Sequence, residues 1–182
     1  MYADLDGAAA LARIATGFDW TWTLEDVPRF CAITGWKIVI RDKLGIEFAT
    51  DFDVRRPQAN LFTDKGMAPE LAAAGEEIEN ISITVADLTA ASHSSTEAEV
   101  VECCGLVGQR LITELGPPRR RVYETDQKLI WDLSKVSIRL YPVTNAVILG
   151  FVNPAFQEWI EKQAELDDIA PVKAGGAFHV QC

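Results

Sequence analysis

Residues 58–87 read QANLFTDKGMAPELAAAGEEIENISITVAD, and the division of this stretch decides the fold. From Ile81 to Val85 the residue types alternate without a break: Ile81, Ile83 and Val85 are apolar, Ser82 and Thr84 polar. A period of two carried by β-branched residues predicts a strand with one buried and one wetter face. QANLFT predicts a second strand at the other end. Between the two lies a connection, 64–77, much longer than the roughly 2–5 residues of an ordinary hairpin link. TDKG is turn chemistry, and PELAAAG reads as one or two helical turns opened by Pro69 and closed by Gly75. Gly66 and Met67 fall at its tip, where glycine lets backbone enter a narrow pocket and methionine offers an adaptable apolar contact. Such a connection either covers the sheet edge or engages a partner.

Working outward, the same change of period recurs. Asp6 to Thr16 places Ala, Leu and Ile at helical spacing, with Asp4 and Asp6 where the helix dipole favours acids. A second helix is predicted from Thr23, with Thr23 and Asp26 at capping-box spacing and Gly35 as the stop. Pro28 falls in its first turns, where proline is tolerated. Trp20, Trp22 and Trp36 flank this helix and predict a shared apolar wall between helix and sheet. WKIVIRD and GIEFATDF predict strands joined through Asp42, Lys43, Leu44 and Gly45. The longest helix is predicted over 96–115, capped by Ser94 with Glu97, striped by Val100, Val101, Cys104, Val107, Leu111 and Leu115, and ended by Gly116-Pro117-Pro118. Gly105 and Gly108 within it read as close-packing points. KLIWDL, KVSIRLYPV and NAVILGFV then form a meander, and a last helix starts at Pro154.

Strands in runs joined by short links imply antiparallel pairing, so the predicted class is α+β: about seven strands, four plus three, with helices mainly on one face. One domain is expected over 1–182. Residues 1–35 would hold the N-terminal helices, 36–87 the first strand group, 94–116 the long helix, 127–152 the meander, 154–166 a helix and 167–182 a tail.

The chain has 182 residues, 48% of them hydrophobic and 24% charged, within the ordinary globular range. Its apolar runs fall short of the ~20 residues a membrane span needs. The N-terminal stretch carries acids and lacks a basic leader, so a cytoplasmic location is expected. With 17 basic against 27 acidic side chains the net charge is −10, which argues against nucleic acid as a partner and suits either solubility or docking onto a basic protein. The basic run Arg119, Arg120 and Arg121 reads as a solvated turn at a helix exit.

Chemistry-bearing residues are sparse. Cys31, Cys103, Cys104 and Cys182 have no metal or redox spacing and read as reduced, mostly buried thiols. Of the two histidines, His93 lies among serines before the long helix and His179 lies in the tail. Glu76, Glu77 and Glu79 read as a solvated acidic edge. No phosphate-cradling glycine loop is present. The expectation is a chain without catalysis, cofactor or metal; the opposing reading, a small-molecule enzyme with a dispersed site, would require a deep polar pocket around His93 or Cys104.

The segment WTWTLEDVPRFCAITGW (Trp20 to Trp36), the later LIWDL and the stretch VTNAVILGFV resemble small acidic actinobacterial proteins of unknown function. These are similar to the immunity factor for the tuberculosis necrotizing toxin, an NAD-glycohydrolase. The resemblance implies a cytosolic antitoxin that binds its toxin one to one and inserts a loop into the toxin's active site. In that immunity factor a loop glycine makes the insertion; by its position in a loop, Gly66 is the counterpart, within a partner-binding set of Asp64, Lys65, Gly66, Met67 and Ala68. A cytosolic chaperone or adaptor for secreted proteins, holding an extended partner along a sheet edge, is the alternative.

Overall fold

A computed structural model describes residues 2–42, 45–63, 75, 77–87, 97–122 and 128–169. The chain runs β1 (Tyr2–Ala3), α1 (Leu5–Gly17), α2 (Asp26–Thr34), β2 (Lys37–Arg41), β3 (Gly45–Ala49), β4 (Gln58–Thr63) and β5 (Ile78–Asp87). It continues through α3 (Glu97–Leu115), β6 (Arg120–Val122), β7 (Lys128–Asp132), β8 (Ser137–Val143), β9 (Ala146–Val152) and α4 (Pro154–Ile169). All strands join one antiparallel sheet in the order β2-β3-β4-β5-β9-β8-β7-β6, with β1 beside β5. The fold is α+β, as expected.

The sheet has nine strands among the described residues, against about seven expected. β1 has only two residues, too few to show a period. It pairs Ala3 with Ala86 on the edge of β5 that β4 occupies further back, where Ala59 faces Ile83. β6 was hidden in the arginine run. Arg120 faces Ile130 of β7, and Arg119 N–H donates to the Ile130 carbonyl at 2.9 Å, so the expected solvated turn is instead an edge strand. Gly116, left-handed at φ 81°, ends α3 and lets the chain double back.

The two strand groups meet at β5 and β9, where Ile81 faces Phe151 and Ile83 faces Leu149. These four side chains are buried on the face that α1, α2 and α3 cover. α3 packs on α1, β8 and β9. A Cβ on Gly108 would lie 2.8 Å from Leu129 Cδ1, so this glycine is a close-packing point. Gly105 is not: it is exposed, with no atom within 4 Å of such a Cβ. The expected Ser94 cap of this helix lies outside the described residues.

The aromatic wall forms as expected. Trp20, Trp22 and Trp36 are buried, Trp20 stacks on Trp22 at 4.6 Å, and Phe30 of α2 stands edge-on to Trp36. The start of α2 differs from the expected capping box. The helix begins at Asp26, whose buried carboxylate points back to accept from Thr21 N–H (2.9 Å), Trp22 N–H (2.8 Å) and the Thr21 hydroxyl (2.9 Å). Arg29 supplies the countercharge at 2.7 Å. This carboxylate holds Trp22 at φ 57°, a left-handed backbone that a bulky residue seldom adopts. Gly35 stops α2 at φ 75°, its N–H bonding the Cys31 carbonyl.

α4 lies on the opposite face of the sheet, across β6 and β7, and runs to Ile169, beyond the expected 166. Among the described residues, no helix is long and apolar enough to cross a membrane.

Candidate functional site

The expected partner-binding residues Asp64, Lys65, Gly66, Met67 and Ala68 lie outside the described residues, as do His93, His179 and Cys182. The ends of the 64–77 connection are described. Thr63 of β4 faces Ile78 of β5 across a bulge, so the connection does close a hairpin between paired strands. Its return end is pinned: the N–H groups of Glu77 and Ile78 both donate to the Trp22 carbonyl at 2.9 Å. The Glu77 carboxylate accepts from Leu24 N–H at 3.2 Å, so this glutamate holds the α2 entrance as well as meeting solvent. The strained Trp22 is thus the anchor of the connection, its indole N–H fastened to the Lys135 carbonyl at 3.0 Å. Strain of this kind costs roughly 1–3 kcal/mol and is kept where the surrounding bonds over-determine it.

Beside the outgoing end lies an exposed apolar surface. On β3 and β4 the residues facing the helices, Ile46, Phe48, Ala59 and Leu61, are buried. Phe62 points to the other face and is 43% exposed. β2 departs from the period-two expectation altogether, because all five of its residues are exposed. Ile38 is 47%, Val39 58% and Ile40 50% accessible. β2 ends the sheet order and also carries a bulge: Ile38 faces Phe48 and Ile40 faces Glu47, so Val39 is the extra residue. Ile40 and Phe62 border a shallow groove of about 180 Å³, with Asp42, Gly45, Glu47 and Asn60 around it. Gly45 permits the groove. At φ 151° a Cβ there would lie 1.9 Å from the Leu61 carbonyl oxygen, so no side chain fits between β3 and β4 at this point.

A second concavity, of about 490 Å³, lies at the far end of the sheet between α4 and the β7–β8 turn. Arg120 organises it, with Nε 2.8 Å from Asp132 and Nη1 2.6 Å from Glu161. The Ser137 hydroxyl donates to Asp132 at 3.0 Å, and the Gln157 amide donates to Glu161. Burial pushes Asp132 upward, but the Arg120 guanidinium and the Ser137 hydroxyl together hold it below the usual carboxylate range. Glu161 is lowered in the same way, burial being outweighed by Arg120 and Gln157. Both acids are therefore committed to the arginine as carboxylates, a structural clamp on α4 rather than a proton-transfer pair.

The three described cysteines are free thiols: Cys103 and Cys104 are buried and Cys31 is half-buried. Burial pushes the Cys104 thiol up to about 12, so at neutral pH it is a thiol, the unreactive form. Among the described residues, no group of three His, Cys, Asp or Glu side chains is placed to hold a metal ion. Sequence reasoning missed the β2–Phe62 surface. The signal was present in three consecutive β-branched residues, but a run of that kind reads equally as a buried strand.

No curated protein matches the chain. A DUF4309 family protein, YjgB of Bacillus subtilis, is similar in structure, with a TM-score of 0.41 and 14% identity over 82% of this chain and 97% of its own. A family model, described as a family of unknown function, matches residues 6–153, which takes in every strand but β1 and stops just before α4. The chain belongs to that family, DUF6301.

Proposed function

We propose that this chain is a stoichiometric protein-binding domain of the immunity or antitoxin kind. It acts in the cytoplasm without catalysis of its own, and it neutralises a secreted toxin domain by inserting the 64–77 connection into that toxin's active site. The resemblance of the Trp20–Trp36 segment points to an NAD-glycohydrolase as the toxin class. One observation carries the binding reading: Ile38, Val39, Ile40 and Phe62 are large apolar side chains left in solvent beside the root of that connection. Contiguous exposure of this kind marks interaction surfaces. The anchoring of Glu77 and Ile78 on Trp22 supports it by fixing where the connection returns to the sheet. The net charge of −10 favours fast encounter with a basic partner.

The test is co-expression with an NAD-glycohydrolase toxin domain, with cellular NAD as the readout. The wild-type chain should preserve NAD. Gly66→Trp should abolish protection while shifting the melting temperature by less than about 2 °C, since the sequence puts Gly66 at the tip of the connection, where a change costs little. Protection by the tryptophan variant equal to wild type would rule out the loop as the inhibitory element.

The open edge of β2 also favours a second reading, a chaperone or adaptor that holds an extended secreted protein. Light scattering separates the two. A homodimer that leaves NAD unprotected supports the adaptor, and a monomer that protects NAD supports the antitoxin.

A further inference from the structure

β2 ends the sheet at one side, pairing only with β3 among the described elements. No described strand pairs its outer row of backbone donors and acceptors, which is the condition for strand addition. Edges are ordinarily blunted by charge, bulges or shortness, and β2 does carry a bulge and terminal cations, Lys37 and Arg41. Those devices do not account for Ile38, Val39 and Ile40, because a merely protected edge would place charge at its centre. The groove between Ile40 and Phe62 lies over β3, on the inner side of β2, and is separate from this outer row. An edge row of main-chain groups flanked by exposed aliphatic side chains is the arrangement used to capture an extended segment.

The charges identify the segment. KIVIR has a cation at each end and no acid. Two copies of β2 paired with each other would bring four cations onto one seam about 17 Å long. The net charge of −10 on each chain opposes that approach at longer range. We propose that β2 is a strand-addition site for an extended segment of a partner protein, with a β-branched apolar centre and an acidic residue at each flank. The proposal rests on the protein-binding reading above and supplies the chemistry of the bound segment.

Two blocked heptapeptides test it: Glu-Val-Thr-Val-Thr-Val-Glu, and the same sequence with lysine at both ends. Each is titrated into the 15N-labelled full chain, and amide shifts are followed. The acidic peptide should produce saturable shifts in residues 37–41. The lysine peptide should bind about tenfold more weakly, as reversing two cross-strand charge pairs implies. Combining Lys37→Glu with Arg41→Glu should reverse that preference. The triple variant Ile38→Thr, Val39→Thr, Ile40→Thr should lose both peptides while its remaining amide spectrum superposes on wild type.

Equal binding of the two peptides, shifts confined to other strands, or a sedimenting dimer that shifts residues 37–41 without peptide would each overturn the proposal. Failure of the antitoxin reading is distinct. It appears as NAD loss with the wild-type chain, whatever the peptides do. Retained NAD protection with no peptide response at β2 removes strand addition and leaves the antitoxin reading standing.

Discussion

The two edges of the sheet are built by opposite rules. β6 is three residues long, and its Arg120 reaches Asp132 on the neighbouring strand and Glu161 on α4. Helix, ion pairs and shortness together close that edge, the usual protection against unwanted pairing. β2 is longer and shows three consecutive aliphatic side chains to water. One molecule therefore contains both a protected edge and an open one. What differs between them is the chemistry that faces outward: paired charges at β6, aliphatic side chains at β2.

Three changes break or sharpen this contrast. The largest effect is expected at Gly45, which lets β3 lie close to β4 beside the open edge. Gly45→Ala drives a methyl group into the Leu61 carbonyl and should cost about 3 kcal/mol or more. That corresponds to a melting-temperature loss of roughly 6–12 °C for a chain of this size. A change below 2 °C in calorimetry would mean that β3 is not held against β4 as described.

At the closed edge, Arg120→Met removes the clamp. Both carboxylates are partly solvated, so the loss should be only about 1 kcal/mol, with faster proteolysis in α4 than elsewhere. The pH dependence is more diagnostic. Asp132 and Glu161 are lowered in the folded protein. Their contribution is present above the ordinary carboxylate value near ~4 and is lost as pH falls through the lowered folded values. Wild-type stability should therefore fall more steeply than that of the methionine variant as pH drops below about 4.5. Parallel acid-unfolding curves would show that the clamp contributes nothing.

The smallest effect is expected at the open edge. The triple threonine variant of Ile38, Val39 and Ile40 keeps β propensity and removes little buried surface, so its stability should lie within about 1 kcal/mol of wild type. A larger loss in urea unfolding would place these side chains in the core and erase the contrast between the edges.

Much of the architecture was legible in local pattern. Alternation in Ile81–Val85, helical spacing in α1 and α3, Gly35 as a stop and the Trp20–Trp22–Trp36 wall are all rules of near neighbours, and the folded chain obeys them. The start of α2 was less legible, because Asp26 answers donors that precede the helix instead of capping the turn it opens. At the candidate site, the connection from 64 to 77 could be picked out by its length. The surface beside it could not, since KIVIR has the composition of a buried strand.

The sequence by itself determined the α+β class, the limits of most elements and the face each amphipathic element buries, because these follow from residue periodicity and chain stiffness over a few residues. Only the tertiary structure decided that β9 returns to β5, that β6 is an edge strand under α4, and that β2 pairs on one side alone among the described strands. Those outcomes depend on which strands find each other across long separations. Strand pairing is made by backbone groups that every residue carries alike, so residue identity alone leaves the partner unspecified.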